Sequence, residues 1–137
     1  MLGAILISVS ASIMLALGAV HLAYTFASRK LHPKEQDAAA KMQASSPVIS
    51  GRTTMWNAWI GFNASHSFGA ILFGLFYLYL AQAAPGLLTA SLFLQLVGAS
   101  ALAAYAAVAQ RYWFRTPLLG ILLAFSLYLA GAIALAS

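Results

Sequence analysis

The sequence predicts an all-α protein, a four-helix transmembrane bundle with its N-terminus and C-terminus both on the extracytoplasmic side. Three observations carry that expectation. Of the 137 residues, 63% are hydrophobic and only 7% are charged, where a soluble domain carries about 25% charged residues. The stretches Leu2 to Ser28, Thr53 to Gln110 and Thr116 to Ser137 contain no charged side chain, and a helical span needs roughly 20 apolar residues to cross about 30 Å of hydrocarbon. All seven basic residues fall in the short segments between those stretches.

The first helix is expected over residues 3–28. It has no positively charged leading segment, and its apolar run is longer than the roughly 7–15 residues of a signal-peptide core, so it reads as a retained span. Residues 29–53, "RKLHPKEQDAAAKMQASSPVISGRT", form the one connection large enough for structure outside the membrane. Glu35 and Asp37 follow Pro33 as acidic groups in a first helical turn, and Asp37 with Lys41 makes an i,i+4 pair, which predicts a short surface helix over 34–44. Pro47 and Gly51 close it, and Thr53 or Thr54 can cap a second span over 54–82. "QAAPGLLT" supplies a break, because Pro85 lacks an amide donor and Gly86 favours a turn. Third and fourth spans then fit 87–110 and 117–136, and the whole chain 1–137 reads as a single transmembrane domain.

Arg29, Lys30, Lys34, Lys41 and Arg52 lie in the first connection, and Arg111 and Arg115 lie in the third. Odd-numbered connections of a four-span protein share one side, and cytoplasmic connections carry the excess of Lys and Arg. Both basic segments are therefore expected in the cytoplasm. The sequence pI near 9.9 follows from that orientation, and no nucleic-acid partner is expected. The absence of cysteine excludes disulfides, thiolate metal sites and thiol catalysis.

Polar residues inside the spans are the candidates for function. At 100° per residue, Trp56, Trp59, Asn63, His66, Ala70, Phe73 and Tyr77 share one face of the second span. Gly61, Ser65 and Gly69 share another, at the small-xxx-small spacing that lets membrane helices approach closely. The first span carries Ser10, Met14, Leu17, His21, Tyr24, Thr25 and Ser28 on one stripe. Counting about 1.5 Å per residue from the basic ends puts His21 about 10 Å deep, Asn63 about 12 Å, His66 about 16 Å and Tyr105 about 8 Å. An unpartnered polar group in hydrocarbon costs several kcal/mol, so these stripes are expected to face inward. Trp56, Trp113 and Tyr112 suit interfacial anchors, and Gln95, near Ser91 and Gly98, suits interhelical hydrogen bonding.

Intramembrane ionisable groups point to function by default. The set predicts a ligand pocket built from His21, Tyr24, Trp59, Asn63, His66 and Tyr105. Above it Arg29, Arg52, Arg111 and Arg115 would attract an anionic headgroup, each surface cation contributing about 1 kcal/mol. The expected ligand is amphiphilic or lipid-like, with membrane lipids as partners and transferase-like chemistry as an extension. The bundle is expected to form a homo-oligomer through its small-residue faces, or to join a membrane complex, and the competing class is a non-catalytic accessory subunit in which the polar groups pair with one another or with a partner. A third is haem held by His21 and His66 as axial ligands, without a C-x-x-C-H for covalent attachment. No metal site is expected, since no carboxylate or thiolate lies at membrane depth.

The segments "RTTMWNAWIGFNASHSFGAILFGL" and "GAVHLAYTF" resemble a family of small four-span bacterial membrane proteins. That resemblance spans nearly the whole chain and implies a multi-pass protein of the bacterial inner membrane, without assigning an activity. The chain is also similar in length, span number and long first cytoplasmic connection to the membrane-associated eicosanoid and glutathione transferases. That likeness implies a trimer binding glutathione at cytoplasmic subunit interfaces. Arg52 and Asn63 take the analogous positions, His66 stands where that family has a glutamate, and Arg111 and Tyr112 lie near a basic, aromatic patch of similar placement.

Overall fold

The computed structural model describes residues 1–136 as six helices: α1 (Leu2–Ala27), α2 (Gln36–Ala44), α3 (Met55–Ala83), α4 (Pro85–Ala90), α5 (Leu92–Tyr112) and α6 (Arg115–Ala136). No strand occurs among the described residues. Four of the helices, α1, α3, α5 and α6, are long and apolar enough to cross a membrane. At 1.5 Å per residue α3 is about 44 Å long, which matches a bilayer including its headgroup layers.

Local chemistry sets the boundaries. Thr54 caps α3, its Oγ1 accepting from the Asn57 amide at 3.2 Å. The surface helix starts at Gln36, with Glu35 outside it in extended backbone, slightly later than the expected 34–44. The expected third span over 87–110 is corrected by a second break. Pro85 opens the six-residue α4 from its first position, where a missing amide costs nothing. Ser91 then leaves helical geometry, and its Oγ accepts from the Leu94 amide at 3.3 Å to start α5. Gln95 reaches back from α5 to donate to the Leu88 and Thr89 carbonyls of α4. The fourth span begins at Arg115, because Pro117 sits within the first turn, whose amides need no intrahelical acceptor.

The chain divides into two compact units. One combines Met1–Leu17 with the chain from Ala70 onward, and its core holds Ile7, Ala11, Met14, Phe73, Tyr77, Leu102, Ile121, Ala124 and Tyr128. The polar groups buried in this core are satisfied by backbone: Ser10 Oγ donates to the Ala124 carbonyl at 2.6 Å, and the Tyr77 hydroxyl to the Leu94 carbonyl at 2.8 Å. Glycines allow the packing, at Gly3 against Gly131 and at Gly74 and Gly98. A Cβ on Gly74 would fall 2.7 Å from the Ala11 carbonyl oxygen, and one on Gly98 would overlap the Tyr128 and Tyr77 side chains. Small residues at such points let helices approach without a hydrophobic drive between them.

The second unit, Gly18–Gly69, contains the end of α1, α2 and the first half of α3. Backbone and side chain tie its connection down. The Met55 amide donates to the Ser45 carbonyl at 2.8 Å, and the Trp59 indole donates to the Leu31 carbonyl at 3.0 Å. His32 meets Trp56 edge-to-face, ring centroids 4.8 Å apart. Around both units the spans expose large apolar side chains such as Phe62, Leu72, Phe93, Leu119 and Ile133, a surface suited to acyl chains.

Candidate functional site

Unit Gly18–Gly69 brings together three of the polar residues singled out in the spans. His21 on α1 and Asn63 on α3 lie at nearly equal estimated depth, and their side chains meet, His21 Nε2 to Asn63 Oδ1 at 3.0 Å. Asn63 Nδ2 donates to the Trp59 carbonyl one turn back, at 2.8 Å. With the amide nitrogen committed to a carbonyl, Oδ1 must be the atom that faces His21, so His21 donates from Nε2 and Nδ1 is its basic nitrogen when the ring is neutral. His66, one turn deeper on α3, packs its ring against that of His21, centroids 5.4 Å apart and planes at 73°. The depth difference anticipated between the histidines is thus met by an edge-to-face contact.

The hydroxyl groups near the cluster turn back on their own helices. Thr25 Oγ1 donates to the His21 carbonyl, Ser28 Oγ to the Tyr24 carbonyl and Ser67 Oγ to the Asn63 carbonyl. This i−4 bonding satisfies a Ser or Thr inside a helix without a partner from elsewhere. Tyr24 looks towards the connection instead: Lys30 Nζ donates to its hydroxyl at 3.0 Å and lies 4.2 Å from its ring centroid. Trp59, 41% exposed, is fixed by its indole bond to Leu31.

The remaining expected site residues are placed separately. Tyr105 belongs to the other unit, half-buried against that unit's core. Arg29 and Arg52 are exposed at the ends of the first connection; Arg111, its guanidinium 5.8 Å from the Tyr112 ring centroid, and Arg115 are exposed at the α5–α6 connection. Gly61 has open space where a Cβ would stand, and Ser65 and Gly69 are exposed, so this small-residue face meets no neighbour within the chain at Gly61. Close approach of α1 and α3 occurs instead at Gly74, within the first unit.

His21 and His66 stand edge to face, and Asn63 engages Nε2 of His21, so axial ligation of a haem by this pair would require the ring contact to open around the macrocycle. No group of three or more metal-ligating side chains occurs among the described residues. A groove of about 560 Å³ lies in the first unit, lined by Ala4, Ile5, Ser8 and Ser12 of α1 and by Ala81 and Gln82 of α3. Nothing in the sequence singled it out, because its polar residues are few and its walls are ordinary span residues. Comparison of the chain with family models, curated proteins and solved structures found no match.

Proposed function

We propose that the chain is a non-catalytic multi-pass membrane protein, a structural or accessory subunit, in which the His21–Asn63 pair ties α1 to α3. One observation carries this reading: both ends of the Asn63 amide are engaged, one by His21 and the other by the Trp59 carbonyl. A ligand at this point would have to break an existing bond to make one. The open face at Gly61 and Ser65, beside the exposed Phe62 and Phe68, supports association with another helix, since small residues favour close approach in membranes. The basic segments at the first and third connections support an orientation with both termini outside.

Native mass spectrometry of the detergent-purified protein tests the reading. The expected spectrum contains the polypeptide, alone or in small multiples, with phospholipid adducts that are the same for wild type and for a folded His21→Leu/Asn63→Leu variant. A discrete small molecule retained by wild type and lost from that variant would overturn it.

A second reading, binding of an amphiphile, is favoured by the groove beside Ser8, Ser12 and Gln82. Its size suits an acyl chain, and the Ser12 hydroxyl is already satisfied by the Ser8 carbonyl at 2.8 Å, which leaves an essentially apolar trough. Filling it with Ser12→Phe should abolish retention of any tightly held lipid, measured in the same spectrometer. Unchanged retention would remove this reading.

A further inference from the structure

The connection between α1 and α3 presents an apolar feature that neither the polar cluster nor the spans explain. Val48 and Ile49 are 109% and 93% exposed. They are the central residues of a tight turn, in which the Ser50 amide donates to the Pro47 carbonyl at 3.1 Å. Within residues 28–54 no other large apolar side chain is so exposed. Two aliphatic side chains at the tip of a turn, in a segment otherwise rich in Ser, Thr, Lys and Arg, call for a partner.

The covalent and hydrogen-bonded frame restricts where that partner lies. The Met55 amide bonds the Ser45 carbonyl, closing residues 45–55 into a loop whose two ends meet at the first residue of α3. The Arg52 amide donates to Ser50 Oγ at 3.2 Å and stiffens the returning arm. At about 3.5 Å per residue the tip stands no more than about 20 Å from Met55. A 29-residue α3 is about 44 Å long against about 30 Å of hydrocarbon, so Met55 lies at headgroup level. The tip is therefore within reach of the headgroup layer.

Charge selects the surface further. The connection carries Arg29, Lys30, Lys34, Lys41 and Arg52 against two carboxylates, Glu35 and Asp37. An excess of cations beside a membrane attracts anionic headgroups, and aliphatic side chains beneath them gain from leaving water. We propose that the Pro47–Ser50 turn is a membrane-dipping element, with Val48 and Ile49 seated among the headgroups of an anionic leaflet and Lys41 and Arg52 paired with the lipid phosphates. It gives the connection a third attachment to the bilayer besides the two helices that flank it.

The chain contains no cysteine, so single-cysteine labelling is direct. Val48→Cys and Asp37→Cys variants of the full chain, each carrying an environment-sensitive NBD fluorophore, are reconstituted into vesicles of phosphatidylcholine and phosphatidylglycerol. The expected result is blue-shifted emission at position 48, with several-fold weaker quenching by acrylamide than at position 37. A phosphatidylcholine bearing a nitroxide near the top of its acyl chain should quench position 48 alone. Adding Ile49→Asp to the labelled Val48→Cys variant should return position 48 to aqueous behaviour. The proposal is overturned if acrylamide quenches both positions equally or if the nitroxide lipid leaves position 48 unaffected. Protection that persists with Ile49→Asp also overturns it, since protein rather than lipid would then cover the turn.

Discussion

Replacing Asn63 by alanine removes the acceptor that His21 Nε2 uses at 3.0 Å and the donor that bonds the Trp59 carbonyl at 2.8 Å. The second loss is small, because the Trp59 carbonyl keeps its position in the backbone ladder of α3. The first strands a half-buried imidazole donor, for which about 1–3 kcal/mol is the usual penalty. Asn63→Ala is therefore expected to destabilise the folded protein by about 1–3 kcal/mol. His21→Ala removes the same bond together with the ring contact to His66. In the double variant neither partner is stranded, so the two single effects should fail to add by about 0.6–2 kcal/mol, the range of interhelical hydrogen bonds in membranes. The assay is reversible unfolding of purified protein in mixed micelles by titration with dodecyl sulfate, followed by circular dichroism. Asn57→Ala, on an exposed position of α3, is the control and should change stability by less than about 0.5 kcal/mol. Strict additivity of His21→Ala and Asn63→Ala, with Asn63→Ala no worse than the control, would refute the claim that this contact holds α1 to α3.

Other consequences follow from the packing and the caps. Gly98→Ala places a methyl group in space held by Tyr128 and Tyr77 and should cost about 1–3 kcal/mol, whereas Gly61→Ala, facing open space, should change monomer stability by less than about 0.5 kcal/mol; the same titration compares them. Ser91→Ala removes the side-chain cap of α5 and should cost about 0.5–2 kcal/mol, with faster hydrogen exchange at the Leu92–Leu94 amides by mass spectrometry. Trp59→Phe removes the indole bond to the Leu31 carbonyl, so limited proteolysis should cut the connection between α1 and α2 faster while the spans stay intact.

Some of the site could be read from residue order, and some could not. Helical periodicity put Ser10, Met14 and Thr25 on an inward stripe of α1 and Ala70, Phe73 and Tyr77 on an inward stripe of α3, and all six are buried. The same arithmetic put His21 and Asn63 at nearly one depth, where they bond. Periodicity could not say whether those groups would face a ligand or each other, since both choices keep them out of lipid. It also could not locate the α4–α5 break, because Ser91 reads as one more small residue in an apolar run until its hydroxyl is seen capping Leu94. Val48 and Ile49 gave no periodic signal, being only two aliphatics in a polar connection.

The sequence by itself determined the helical class, the four apolar runs long enough to cross a bilayer and the sorting of every cation into the connections. Each of these follows from the transfer free energy of side chains and from the backbone's need to satisfy its own hydrogen bonds in hydrocarbon, both of which are local properties. Tertiary structure alone decided that Asn63 spends its amide on His21 and Trp59, that Gly3, Gly74, Gly98 and Gly131 rather than Gly61 carry close contacts within the chain, and that a turn holds two bare aliphatics beside the head of α3. Those outcomes depend on which surfaces meet, a question of shape between segments far apart in the chain that hydropathy and spacing leave open.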